Sequence, residues 1–95
     1  MRDLSDIRMD IDLVDRQIVK LFEERMKLTA QVAEYKIAAK KPVYDKTREE
    51  EKLKTLSELT VLEENKAAVR ELFTCIMAIS RGQQSGFMEK LSLKE

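Results

Sequence analysis

One cation lies where an apolar stripe should continue, and a second shares its face of the helix. Arg25 takes the position between Leu21 and Leu28 that the spacing reserves for an apolar side chain. Lys36 follows eleven residues on, three helical turns away and only about 20° around the axis, so the two share a face about 16 Å apart. Their long side chains can converge on a small anion between them, because a buried cation needs an anionic partner or ligand. The bland alternative is that both stems lie along apolar surface and the heads stay in water. Glu49 is the opposite case. It extends the inward face of Leu53 and Leu56 back by one turn, and a desolvated carboxylate is costly unless something hydrogen-bonds it. In Asp45-Lys46-Thr47-Arg48-Glu49 the same residues also read as a capped helix start, with Asp45 as N-cap and Glu49 favoured by the helix dipole. Ser80 and Gln84 continue the line of Leu72 and Ile76 at steps of four, and an uncharged amide on a core-facing line wants partners. Gln83 competes with Gln84, since a step of three also stays near that face. Ser80 equally suits a hydroxyl bonded back to its own helix. Arg8, beside Ile7, reads by itself as a solvated charge, and Cys75 as a small packing residue. Together these residues describe a cavity with several cations, one carboxylate and neutral donors, without a metal-ligand set or an obvious nucleophile. Such a site suits a dianionic organic acid and a reaction that needs positioning and electrostatics, not covalent chemistry.

The elements that must hold these groups are helices. Leu4, Ile7, Ile11, Val14, Ile18 and Leu21, then Leu28, Val32, Tyr35 and Ala39, recur at alternating steps of three and four. This heptad stripe predicts one helix over about 4–39, capped by Asp3 or Ser5 and ended by Lys40-Lys41-Pro42, because Pro42 disfavours helical geometry at Lys41. Such a helix is about 50 Å long, whereas a compact globule of this size is on the order of 30–35 Å across. A lone chain cannot cover that seam, so the helix alone predicts dimerisation. A second helix is expected over about 45–59, with Leu53, Leu56 and Leu59 inward. A third is expected over about 62–84, with Val69, Leu72, Phe73, Ile76 and Met77 on its apolar face and Gly82 weakening its last turn. The tail 85–95 is expected to form a short amphipathic turn through Phe87, Met88 and Leu91, or to fray. The fold class is therefore all-α, with three helices per chain in a single domain over 1–95 and an intertwined antiparallel helical homodimer.

Composition bounds the function. Of 95 residues 38% are charged, and 18 basic side chains balance 18 acidic ones, so no global field draws the protein to nucleic acid or to an anionic membrane. With no His and one Cys, neither an internal disulfide nor a zinc site of the usual ligands is expected. No apolar run approaches membrane-spanning length and no signal core follows Met1-Arg2-Asp3-Leu4, so a cytoplasmic protein is the expectation.

Over about residues 4–84 the sequence resembles the all-helical chorismate mutases. The likeness rests on Ile7-Arg8-x-x-Ile11-x-x-Val14-Asp15, Leu21-x-x-Glu24-Arg25, Val32-Ala33-Glu34-Tyr35-Lys36 and Pro42-Val43-Tyr44-Asp45-x-x-Arg48-Glu49. A looser match runs from Leu72-Phe73 through Ser80 and Gln84. The resemblance implies rearrangement of chorismate to prephenate, in phenylalanine and tyrosine biosynthesis, with no cofactor. It implies that Arg25 and, from the partner chain, Arg8 bind the two substrate carboxylates. Lys36 and Gln84 would donate to the ether oxygen from opposite sides. Glu49 would accept the ring hydroxyl with the backbone near Asp45 assisting, and Arg48 and Ser80 would support the carboxylate region. No appended domain is visible, so a monofunctional isomerase is expected. Two other readings compete. An isochorismate–pyruvate lyase resembles the mutases in fold and cation cluster, but Asp45-x-x-Arg48-Glu49 favours the mutase. A non-enzymatic helical dimerisation module explains the heptad, but not Arg25 in a seam or Glu49 and Gln84 facing inward.

Overall fold

The computed structural model describes residues 1–94, with side chains described to residue 91. The described residues are all-helical: α1 (Leu4–Ala38), α2 (Lys46–Glu58), a 3-10 turn (Glu63–Asn65) and α3 (Lys66–Lys94). Asp3 is the N-cap of α1 without a side-chain capping bond, while Ser5 Oγ donates to Asp3 Oδ2 at 2.9 Å. The other end of α1 closes in a tight left-handed turn. Lys41 N–H donates to the Lys36 carbonyl at 2.8 Å, Lys40 N–H donates to that of Ile37, and Lys40 has φ 54°. This is the double bond pattern that satisfies the last carbonyls of a helix, and Pro42 then keeps the chain extended. The turn delivers the chain to Asp45, whose carboxylate accepts from Arg48 N–H at 3.1 Å and so starts α2.

α3 is the common partner of the other two helices, packing against both α1 and α2. It does not stop near residue 84. The helix runs through Gly82 and Gly86 to Lys94, and the expected tail, as far as it is described, is its last turns; Glu95 lies outside the described residues. Each glycine costs a helix up to ~1 kcal/mol relative to alanine. The apolar residues beyond them outweigh that cost: Phe87 and Leu91 face Ala30 and Ile37 of α1 across a shallow groove, and Met88 is half-buried. Two residues expected to point inward do not. Leu59, the C-cap of α2, is 72% exposed, and Leu72 is 54% exposed. The inward line of α3 is Phe73, Met77, Ser80 and Gln84, with Ile76 half-buried beside it, so of the expected inward residues around it only Leu72 turns out to solvent.

The chain by itself has almost no apolar core. Among the described residues only Ala33 and Met77 are buried hydrophobics, whereas Ser57, Ser80 and Gln84 are buried polar residues. Every residue from 1 to 21 is exposed, including Leu4, Ile11, Val14, Ile18 and Leu21 at 51–62%. The molecule measures 61 × 26 × 14 Å with a radius of gyration of 17.2 Å, against about 12 Å for a compact chain of this length. Its accessible surface is 7972 Å², where a folded monomer of its mass exposes about 5,700 Å².

A cationic cavity between three helices

The centre of the structure is a polar cavity walled by all three helices. α1 supplies Arg25, Thr29, Val32 and Lys36; the first turns of α2 supply Asp45, Arg48, Glu49 and Lys52; α3 supplies Met77, Ser80, Arg81 and Gln84. Five cationic side chains face two carboxylates there, an excess of three positive charges in a chain whose overall balance is zero. A dianion would enter such a field favourably. The cavity holds about 130 Å³ and opens to one side, short of the roughly 300–1,000 Å³ typical of small-molecule pockets.

Arg25 and Lys36 are held in place by bonds within the chain. Arg25 Nη1 donates to Ser80 Oγ at 2.5 Å, and Ser80 Oγ donates in turn to the Ile76 carbonyl at 3.0 Å. The back-bonded hydroxyl expected of a mid-helix serine therefore also orients the cation on α1. Lys36 Nζ donates to the Val43 carbonyl at 2.7 Å, so the turn after α1 places a backbone dipole on the ammonium and aims it into the cavity. Asp45 does both things expected of it, capping α2 and lining the site.

The two glutamines separate cleanly. Gln83 Nε2 donates to the Met26 carbonyl at 2.9 Å and Gln83 Oε1 accepts from Thr29 Oγ1 at 2.7 Å. Both ends of that amide are used to fasten α3 to α1. Gln84 faces the cavity, is only 6% exposed, and has a buried Oε1 without a hydrogen-bond partner. An unpaired buried polar atom costs about 1–3 kcal/mol; the orphan here is an acceptor, so what completes it is a donor, while donation into the cavity would fall to Nε2 of the same amide.

Seven of the expected site residues thus converge: Arg25, Lys36, Asp45, Arg48, Glu49, Ser80 and Gln84. Arg8 does not join them. It is exposed on the far part of α1, about 25 Å from Arg25 and 42 Å from Lys36 along a straight helix. Sequence reasoning missed Arg81 and Lys52, which also line the cavity. Arg81 forms an ion pair with Glu49. A signal for it existed, since Arg81 lies four residues after Met77 and three before Gln84, on the same stripe of α3. Lys52 likewise follows Arg48 by one turn.

Residues 7–85 match the family described as Chorismate mutase type II. The chain belongs to this family. The matched range of the chorismate mutase type II fold takes in every residue of the cavity and Arg8, and leaves out the last turns of α3. Among curated relatives, the chain is 37% identical over 51 residues to a bifunctional chorismate mutase/prephenate dehydratase of Aquifex aeolicus, covering 54% of this chain and 14% of that protein. It is 39% identical over 49 residues to the T-protein of Haemophilus influenzae, covering 52% of this chain and 13% of that one. The matched segment is thus about a seventh of the length of either relative. No solved structure matches the chain. No helix among the described residues is long and apolar enough to cross a membrane.

Proposed function

We propose that this chain rearranges chorismate to prephenate, and that it does so as a homodimer with two composite sites. The observation that carries the reading is the cavity itself: Arg25 and Lys36 on one wall, Glu49 on a second and Gln84 on a third, in a chain of the chorismate mutase type II family. In this pericyclic shift the breaking C–O bond leaves negative charge on the ether oxygen. Lys36 and Gln84 stabilise that charge as it develops, which lowers the barrier more than it tightens substrate binding. Glu49 accepts the ring hydroxyl, beside the backbone at Asp45. Arg25, oriented by Ser80, takes one carboxylate, and Arg48 supports that region. Holding the flexible enolpyruvyl arm against the ring supplies the orientation term. No proton, electron or group leaves the substrate, so the reaction asks for positioning and electrostatics from the residues around it.

The dimer is supported by what the single chain leaves unfinished. The exposed stripe of α1 through Ile11, Val14, Ile18 and Leu21 is a seam with no partner within the chain, and the cavity is small and partly open. Antiparallel pairing of two copies of α1, crossing near Ile18 and Leu21, covers the seam. It also brings Arg8 of the second copy between Arg25 and Lys36 of the first, where it meets the other carboxylate.

Incubating the purified protein with chorismate, with loss of its absorbance and appearance of prephenate as readouts, tests the activity. Prephenate is expected; none from a well-folded dimer, or turnover of isochorismate instead, would overturn the reading. Gln84 gives a sharper check. A neutral amide donates at any ordinary pH, but a glutamate in its place donates only when protonated. Gln84→Glu is expected to work mainly at acid pH, with activity falling as the new carboxyl ionises. A pH profile identical to that of the parent protein would remove Gln84 from the ether oxygen.

A further inference from the structure

We propose that Arg81 is a positioning residue that acts through Glu49, holding one carboxylate oxygen so that the other is presented to the ring hydroxyl of the substrate. The inference rests on the chorismate reading of the cavity and adds to it a residue which that reading leaves without a task.

Its grounds are geometric. Arg81 Nη1 pairs with Glu49 Oε1, and the two side chains are only 32% and 21% exposed. Among the described residues no hydrogen bond reaches the other oxygen, Oε2. The guanidinium carbon of Arg81 lies 4.8 Å from the centre of the Tyr44 ring, one residue before the cap of α2. Arg81 is therefore seated on the segment that launches α2 while it grips the first turn of that helix. A planar guanidinium suits both contacts, stacking on the ring and donating from its fork. Unrestrained, a glutamate carboxylate samples several rotamers, and fixing it beforehand removes that ordering cost from the reaction. Ser80 and Arg81 divide the work of α3. They are consecutive and so point about 100° apart around the helix; Ser80 orients Arg25 on α1, and Arg81 orients Glu49 on α2.

The test compares the parent protein with Arg81→Gln, Arg81→Lys, Glu49→Ala and the Arg81→Gln/Glu49→Ala double variant. The substrates are chorismate and an analogue whose ring hydroxyl is replaced by hydrogen. With chorismate, Arg81→Gln is expected to lower kcat by about 10- to 100-fold, the scale of losing a hydrogen bond to a charged group, with KM changing much less. Arg81→Lys is expected to recover part of that loss. In the Glu49→Ala background, or with the analogue, removing Arg81 is expected to change kcat less than about threefold, because no carboxylate–hydroxyl contact remains to be positioned. Helical circular dichroism checks each fold, and if Arg81→Gln does not fold, the ratio of the two substrates in Arg81→Lys makes the same comparison. Equal losses with both substrates, or in both backgrounds, would show direct substrate contact or a structural role and overturn the proposal while leaving the mutase reading intact. No prephenate from the parent protein would overturn both.

Discussion

Replacing Lys36 by alanine is expected to lower turnover about 100- to 1,000-fold, the scale of losing one preorganised donor to a developing oxyanion, while substrate binding weakens far less. Lys36 reaches the cavity from the last turn of α1 and donates to the Val43 carbonyl. That bond fixes the ammonium without neutralising it, because a carbonyl accepts the hydrogen bond but carries no full negative charge. Its loss removes one part-buried hydrogen bond, worth about 1 kcal/mol, so the variant should remain helical. The measurement is kcat and KM for chorismate beside thermal unfolding of the same sample. A drop of less than tenfold in a folded dimer would take Lys36 away from the ether oxygen.

Arg8→Ala and Arg25→Ala, each alone, are expected to be nearly inactive, and mixing them is expected to restore activity. The reason is the length of α1. Arg8 cannot reach its own chain's cavity along a straight helix, yet an antiparallel second copy places it there. A heterodimer of the two variants contains one site with both arginines and one with neither. Random pairing after co-folding makes half of the dimers heterodimers, so about a quarter of the parent activity should return if the sites are independent. Absence of rescue, with heterodimers verified by mass, would mean that Arg8 does not act across the interface.

How much of this was legible beforehand depended on what kind of geometry each feature needed. The reversal between α1 and α2 was readable because its causes are local: Pro42 restricts the residue before it, and Asp45 caps the helix that follows. The extent of α3 was not, because propensity at Gly82 argued for a stop while the apolar side chains beyond it, facing Ala30 and Ile37 of α1, argued for continuation. That contest is decided by packing between residues more than fifty positions apart in the chain. Leu72 was placed inward for a related reason. Steps of three and four admit Leu72 and Phe73 alike, and only the docking of α3 against its neighbours turns Phe73 inward and leaves Leu72 exposed.

The sequence by itself determined the helical class, the over-long first helix and the polar residues that interrupt its apolar lines, since periodicity records the angle of each residue about its own helix axis. Only the tertiary structure decided how those axes are rotated against one another. That rotation turns Gln84 into the cavity and spends both ends of Gln83 on α1. It sets Arg81 against Glu49, 32 positions away in the chain. It also gathers five cations and two carboxylates into one place, converting a chain of zero net charge into a local field that favours a dianion, because electrostatic potential depends on distance in space and not on separation along the sequence.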